Sequence, residues 1–342
     1  MITEKELQFV REALELARQA GAQKARATLS KSEEDLVATL DGEVDRVTHC
    51  ADRSLSLALF VDGRFGSYST NKLERSALEG FIRRAVAATR MVAGDPCRDL
   101  PDPARCCRDA VTGDELGLVD PSRDTLTPAD RQQVALDASV FAASFRGSQP
   151  LQTSGVAGPL PPPSAAGPSL FRSRGWLRSG EAAAVSTAQA KTENTDYQII
   201  SEEGEYSDSI YETVVMDTNG LCCAHSETSF DYGVEITVER DGEKYSGYWW
   251  DSSPKLENLE IGDCGLTAMK RAVAQFAPQD FPLGRYNMVV ENEVAGRLLT
   301  PVLNALNGSA IQQQNSFLAD SLGKKVFPDN LTVIDCAREE GR

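Results

Sequence analysis

The chain is poor in histidine, with only His49 and His225 among 342 residues. Catalytic zinc is held mainly by imidazole, and the common zinc spacing of two cysteines separated by two residues is absent as well. A histidine-rich metal site is therefore excluded. The eight cysteines have no regular spacing. Adjacent cysteines such as Cys106-Cys107 and Cys222-Cys223 rarely chelate one ion, so these thiols are interpreted as structural.

Long apolar runs and an excess of positive charge are also missing. No run approaches the roughly 20 apolar residues that span a bilayer. The N-terminus has no basic segment ahead of an apolar block, so we expect neither a signal peptide nor a membrane partner. The 35 basic and 51 acidic residues give a formal charge of −16, which argues against nucleic acid as a partner. Together with the lack of a disulfide framework, these features predict a cytoplasmic protein.

Residues 1–143 predict an N-terminal domain in which helices flank an antiparallel sheet. Thr3-Glu4-Lys5-Glu6 is a capping-box pattern, and the apolar spacing after it predicts a helix over residues 4–20. Further helices are predicted over 74–91 and 128–143. The strands predicted between the first two helices are separated by the hairpin turns Asp41-Gly42 and Asp62-Gly63, and they cover 25–31, 35–40, 43–52 and 54–61. Helix, meander and helix indicate an α+β fold.

Residues 144–195 differ in composition from the rest of the chain. Six of the 16 prolines fall between Pro150 and Pro168, and no apolar periodicity is present, which predicts a disordered linker. The alternative is a functional basic patch at Arg172, Arg174 and Arg178. Residues 196–342 predict a β-rich C-terminal domain with helices over 263–276 and 293–306. Its predicted strands cover 211–216, 221–226, 230–240, 244–250, 286–290 and 331–334.

Four motifs resemble one peptidase family. They are VDGRFGSYSTN at 61–71, EYSDS at 205–209, ETSFDYG at 227–233, and Asn292-Glu293 followed by NGSAIQQQNSFL at 307–318. Matches of this kind cover most of residues 1–140 and 200–335. The chain is similar to the TldD/PmbA peptidases, which have also been called modulators of DNA gyrase.

The resemblance also implies a branch of that family. The TldD branch carries His-Glu-x-x-x-His and a later Cys, which hold a catalytic metal ion. The TldE or PmbA branch lacks the histidines and pairs with TldD. Here Asn292 and Arg297 stand at the two histidine positions, and Glu293 keeps the glutamate position. Neither an amide nor a guanidinium replaces imidazole, so the resemblance implies no catalytic or cofactor residue in this chain and zinc only in a TldD-like partner.

The spacing of this motif would not by itself predict a metal site. Residues five apart on a regular helix point about 140° away from each other, whereas a spacing of four places both on one face. Without a metal, Glu293 is interpreted as a first-turn carboxylate, where negative charge is favourable. Further along, Gln312, Gln313 and Ser316 are candidate peptide contacts. The alternative is that this stretch only ends the helix and packs Phe317.

Three functions stay open. The favoured one is the metal-free subunit of a peptidase that acts on unfolded peptides, which exposed strand edges would hold. The rival is a non-enzymatic homodimer that binds peptides or modulates a partner such as DNA gyrase. The third is independent catalysis. Serines are available at 207, 229 and 316, but no Gly-x-Ser-x-Gly motif occurs. His225 is interpreted as structural, and a His49–Cys50 dyad is disfavoured because neighbouring strand side chains point to opposite faces.

Two departures from the family pattern lead to a separate hypothesis. Residues 144–195 do not resemble the family, and the chain ends at Arg342 where relatives continue. A frame shift or truncation in the coding sequence would produce both. Translation of the other reading frames tests this, and the absence of family-like residues there would refute it.

Overall fold

The structure is a computed structural model that describes residues 2–106, 116–139, 197–276, 278, 280–330 and 332–334. The linker predicted at 144–195, the arginines at 172, 174 and 178, and the helix end predicted at 140–143 lie outside these residues. The described residues form two compact units, one up to Phe276 and one over 277–338. Each is described by itself. Among the described helices, none combines the length and apolarity needed to cross a membrane.

The first unit combines helices with long strands. Its elements are α1 (Glu4–Gln19), β1 (Lys24–Leu40), β2 (Glu43–Val61), β3 (Arg64–Thr70), α2 (Arg75–Thr89), α3 (Pro128–Asp137), β4 (Gln198–Asp217), β5 (Cys222–Arg240), β6 (Glu243–Ser253) and α4 (Cys264–Val273). Short 3₁₀ turns cover Pro103–Arg105, Pro121–Thr125 and Leu256–Asn258. The second unit contains α5 (Asn292–Ala305) and α6 (Gly308–Gln312).

One antiparallel sheet organises the first unit, with the strand order β3-β2-β1-β4-β5-β6. The predicted α+β fold class is confirmed. β1 pairs with β4 from Arg26 opposite Asp217 to Leu40 opposite Glu203, so strands from both sides of residues 144–195 share the sheet. The divisions predicted at 1–143, 144–195 and 196–342 therefore do not separate two sheets, and the domain boundaries stay a prediction.

Local signals explain where the elements begin and turn. Thr3 and Glu6 form the predicted capping box at the start of α1. Their side chains accept hydrogen bonds from two backbone amides that have no carbonyl partner within the helix. The Asp-Gly pairs at 41–42, 62–63 and 241–242 all have positive φ at both residues. That conformation is required by the tight turns whose twist matches that of the flanking strands. These turns fix the register of β1 with β2, β2 with β3, and β5 with β6.

Several predicted boundaries are wrong. The strand pairs predicted within 24–40, 43–61 and 222–240 are single continuous strands, and α3 ends at Asp137. Residues 286–290 form no strand although their apolar side chains favour one, and Val289 is almost fully exposed. An extended run becomes a strand only when a partner completes its ladder, and no described strand pairs with this one. Residues 332–334 are likewise outside any strand, and Leu331 is not described.

Two hydrophobic cores lie on the same face of the sheet, here called the inner face. One core joins α1 and α2 to one end of β1, β2 and β4, with Val10, Ile82, Leu29 and Leu57 among its members. The other joins α3 and α4 to the opposite end of β1, β4 and β5, with Val37 as its β1 member. Leu29 and Val37 are an even number of positions apart on one strand, so both side chains point to the inner face. A stretch of inner face is left between the two cores.

Candidate functional site

The helix that carries the predicted degenerate metal motif begins at Asn292, after the N-cap residue Glu291. Asn292 and Arg297 are exposed, and five residues of helix turn them about 140° apart. The side chain of Glu293 lies outside the described part of the structure. An amide and a guanidinium supply neither imidazole nor thiolate, and the guanidinium repels a divalent cation. These residues do not fit zinc.

The three predicted peptide contacts occupy different environments. Gln312 is the last residue of α6, and both Gln312 and Gln313 are exposed. Ser316 is half-buried, and its hydroxyl donates to the Ala305 carbonyl at 2.6 Å and accepts from the Leu318 amide at 3.0 Å. Ser316 therefore ties the chain after α6 back to the end of α5. Its contact with a peptide stays a prediction, as do those of the two glutamines.

The two histidines lie on opposite faces of the sheet. His49 on β2 is opposite Asp35 on β1, in the inner-face row, and its Nδ1 lies 2.9 Å from the Asp35 Oδ1. His225 on β5 is opposite Thr213, which belongs to the other face, here called the outer face. Two strands separate β2 from β5, a lateral distance of about 14 Å. His49 and His225 therefore cannot bind one ion together.

Charged residues fill the stretch of inner face between the two cores. The inner-face series of β1 reads Ala25, Ala27, Leu29, Lys31, Glu33, Asp35 and Val37. On the β2 side, Lys31, Glu33 and Asp35 lie opposite Arg53, Ala51 and His49, respectively. On the β4 side, they lie opposite Glu212, Ile210 and Asp208. A groove of about 300 Å³ lies here, lined by Lys31, Ser32, Glu33, Ala51, Asp52, Arg53, Ile210 and Glu212. We call it the inter-core groove.

One wall of the groove is an ion network centred on Lys31. Its ammonium lies 3.2 Å from Glu6 of α1 and 3.0 Å from Glu212 of β4, and Arg53 lies 2.7 Å from Glu6. Burial raises the pKa of Glu6, but the hydrogen bonds from Thr3 and Lys31 and the charge of Lys31 outweigh it, so the pKa lies below its ordinary value. Glu6 thus caps α1 and also anchors it to the sheet.

A second group of charges follows on the inner face, next to the groove: Asp35, Arg123, Arg131 and Asp208, here called the Asp208 cluster. Asp208 is fully buried on β4. Arg131 of α3 donates to it twice, from Nε at 2.6 Å and from Nη2 at 2.8 Å, and Arg123 Nε lies 3.0 Å away. Asp35 contacts both guanidiniums, at 3.4 and 3.1 Å. The hydrogen bond to Asp208 raises the pKa of Arg131.

The Asp208 cluster attaches a segment without strands to the sheet. Arg123 lies in the 3₁₀ turn Pro121–Thr125 and donates to the Glu33 carbonyl at 3.2 Å. Thr228 of β5 accepts from the Asp120 amide at 2.8 Å. Two arginines and these hydrogen bonds thus hold residues 118–137 against the end of the groove.

A trio of possible metal ligands lies beside the groove, but its surroundings disfavour a cation. Glu33, Asp35 and His49 bring one ligand atom each within 4.8 Å of one another. Arg123 lies 3.5 Å from Glu33 and 3.4 Å from Asp35, and Arg131 also contacts Asp35. The guanidiniums already neutralise these carboxylates, and a divalent ion would be repelled by both. We interpret the trio as part of the same set of ion pairs as the Asp208 cluster.

Sequence reasoning missed the inter-core groove, although a signal was present. A strand with one buried face places apolar residues at every second position. The charges at 31, 33 and 35 interrupt that alternation in β1, as Asp208 and Glu212 do in β4. Such an interruption, flanked by apolar residues of the same parity, indicates a buried ion network. The arginines that complete it lie far away in the sequence and carry no such pattern.

The chain matches three family models. They are the PmbA/TldA metallopeptidase domain 1 at residues 25–89, the central domain at 165–276 and the C-terminal domain at 283–342. The central-domain match begins at 165, so the expectation that all of 144–195 departs from the family is wrong for its second part.

Relatives and solved structures agree with these matches. The chain is 23% identical to "Metalloprotease PmbA" of Escherichia coli over 94% of its length, and 24% identical to a PmbA homolog of Haemophilus influenzae over 96%. It spans 59% and 61% of those two proteins.

A candidate modulator of DNA gyrase from Bacteroides thetaiotaomicron has a TM-score of 0.76 and 28% identity, over 100% of this chain and 66% of its own. TldE from Thermococcus kodakarensis shares the fold, with a TM-score of 0.56 and 13% identity over 91% of this chain and 58% of its own.

Proposed function

This chain belongs to the PmbA/TldD family, and from that premise we propose that it is the metal-free subunit of a two-subunit peptidase. A TldD-like partner holds the zinc ion and performs the cleavage of unfolded peptides. This chain contributes part of the surface that holds the peptide. No step of the reaction passes through a metal held by residues of this chain.

The observation that carries the proposal is the chemistry of α5. The family resemblance assigns Asn292 and Arg297 to the positions of the two metal-binding histidines, and both residues are exposed in α5. A bound hydroxide at neutral pH needs a metal to lower the pKa of water, and the metal needs imidazole, thiolate or carboxylate ligands. The positions of His49 and His225 on opposite faces of the sheet support the same conclusion.

Free strand edges support the peptide-binding role. Among the described residues, β3 and β6 are the two terminal strands of the sheet. The edge of β3 is already bridged at Arg64 by Gly94. No described strand other than β5 pairs with β6, although the Ser246 carbonyl of β6 accepts a hydrogen bond from Gln275 Nε2 at 2.6 Å. An extended peptide can add to such an edge through main-chain hydrogen bonds, which suits cleavage with little sequence preference.

Co-purification with a TldD-like protein tests the proposal. Tagged chain is co-expressed with a relative that carries His-Glu-x-x-x-His, and peptidase activity is measured on an unfolded protein with and without a chelator. We expect a stable heteromer whose activity the chelator abolishes, while each chain alone is inactive. The matched control replaces the partner's histidines by alanine, which should keep the complex and remove the activity. Activity of this chain alone in metal-free buffer would instead support independent catalysis.

The alternative is a non-enzymatic homodimer that binds peptides or modulates a partner. The Bacteroides thetaiotaomicron protein, which is similar to this chain, is named as a candidate modulator of DNA gyrase. Light scattering after size exclusion distinguishes the two. A homodimer that persists when the TldD-like chain is added in excess would favour the alternative. Exchange into a one-to-one complex would favour the peptidase subunit.

A further inference from the structure

An aromatic pair lies on the outer face beside the free edge of β6. Tyr248 and Trp250 are two residues apart on one strand, so their side chains share a face. Their rings stack at a centroid distance of 5.8 Å and an angle of 19°. Across the sheet, their partners on β5 are Glu235 and Gly233. Tyr248 is 48% exposed.

Gly233 allows the tyrosine to lie across β5. A Cβ atom added at Gly233 would lie 2.4 Å from the Tyr248 hydroxyl and 3.1 Å from the ring carbon that bears it. The ring therefore fills the space that any side chain at 233 would occupy. The residue opposite Gly233 on β4 is Glu205. The Tyr248 ring thus forms a flat aromatic surface over Gly233 of β5, and Glu205 is the next residue across the sheet.

The surroundings of this pair are acidic. Glu203, Glu205, Asp231 and Glu235 all occupy outer-face positions in adjacent rows of β4 and β5. Arg46 lies 3.6 Å from Glu205 and neutralises one charge of the four. Burial, followed by the charge of Glu205, raises the pKa of Tyr248, so the phenol is neutral and presents an electron-rich ring face.

We propose that Tyr248, Trp250 and Glu235 bind the lysine or arginine side chain of an extended peptide that pairs with β6. A cation within about 6 Å of an aromatic centroid is attracted by the ring quadrupole. The carboxylates strengthen that attraction, and the free edge of β6 supplies main-chain hydrogen bonds beside the rings. The peptide nature of the ligand rests on the proposed function; the preference for a basic side chain follows from this surface.

Peptide binding to the isolated chain tests the proposal without any peptidase activity. Two extended peptides of one sequence are compared by calorimetry, one with a single lysine and one with acetyl-lysine at that position. Acetylation removes the charge and keeps the length. We expect the lysine peptide to bind about three- to thirty-fold more tightly. Equal affinities, or binding of neither peptide, would overturn the proposal while leaving the subunit assignment untouched.

Variants locate the binding at the aromatic pair. Tyr248→Leu keeps apolar area and removes the quadrupole, and Glu235→Gln removes the charge on the exposed side chain opposite Tyr248. Each should reduce the lysine preference. Tyr211→Leu is the matched control, because Tyr211 is an exposed outer-face tyrosine on β4 away from the pair. A Tyr211→Leu effect equal to that of Tyr248→Leu would contradict the assignment. Thermal unfolding checks that each variant folds. If Tyr248→Leu does not fold, Glu235→Gln decides the test.

Discussion

Replacement of Asp208 by asparagine tests the interpretation of the Asp208 cluster. The change keeps the shape of the side chain and removes the charge that faces two buried guanidiniums. Arg123 and Arg131 are 4% and 9% exposed, and after the change they would share the half-buried carboxylate of Asp35, which is 22% exposed. Removing one partner of a buried ion pair destabilises a protein by about 3–5 kcal/mol, because a desolvated charge is left without its counter-ion.

Urea unfolding of the purified chain measures this loss. With an m-value of about 3 kcal/mol/M, the midpoint should fall by about 1 to 1.7 M. Hydrogen exchange should also show faster exchange over α3, Pro128–Asp137, because Arg131 would lose the carboxylate that attaches the helix to β4.

The control is the exposed pair Glu15–Arg18 on α1. The hydrogen bond from Arg18 lowers the pKa of Glu15 to about 2. Solvent screens this pair, so Glu15→Gln should leave the urea midpoint unchanged. A midpoint shift for Asp208→Asn as small as that control, with unchanged exchange over α3, would refute the reasoning.

Three further predictions follow from single side chains. Glu6 has a lowered pKa, so its contribution to stability is present above the ordinary pKa of 4.5 and is lost as the pH falls through the folded value. Glu6→Gln should flatten this acid limb in urea melts at pH values below 4.5. Gly247→Ala places a Cβ 2.0 Å from the Ala268 carbonyl oxygen of α4 and should destabilise by about 1–3 kcal/mol, whereas Gly262→Ala, with no atom within 4 Å, should be tolerated in the same melt. Burial raises the pKa of Cys264 to about 12, so mass spectrometry should find iodoacetamide on Cys50 in the native protein and on Cys264 only after denaturation.

Elements governed by neighbouring residues could be predicted closely. The helix predicted over 4–20 is observed at Glu4–Gln19, because its capping box and apolar spacing act within a few turns. The Asp-Gly turns were predictable for the same reason, since positive φ is required at the turn itself. Local chemistry also located α5 to within one residue at its N-terminus.

Features that depend on distant residues could not be predicted. The pairing of β1 with β4 joins Leu29 to Val214, and no local pattern specifies which strands become neighbours. The inner-face charges looked like the ends of short strands, because the arginines that neutralise them lie at 123 and 131. Residues 286–290 show the converse: their apolar side chains favour a strand, and no described strand pairs with them.

Elemental analysis of the isolated, purified chain is the most direct test of the central claim. The account predicts no stoichiometric zinc after gel filtration in zinc-containing buffer, because Asn292 and Arg297 offer no ligand for it and the histidines lie on opposite faces of the sheet. The co-purified TldD-like complex, measured in the same way, should hold zinc. One zinc ion per isolated chain, lost when Asn292 and Arg297 are replaced by alanine, would contradict the account.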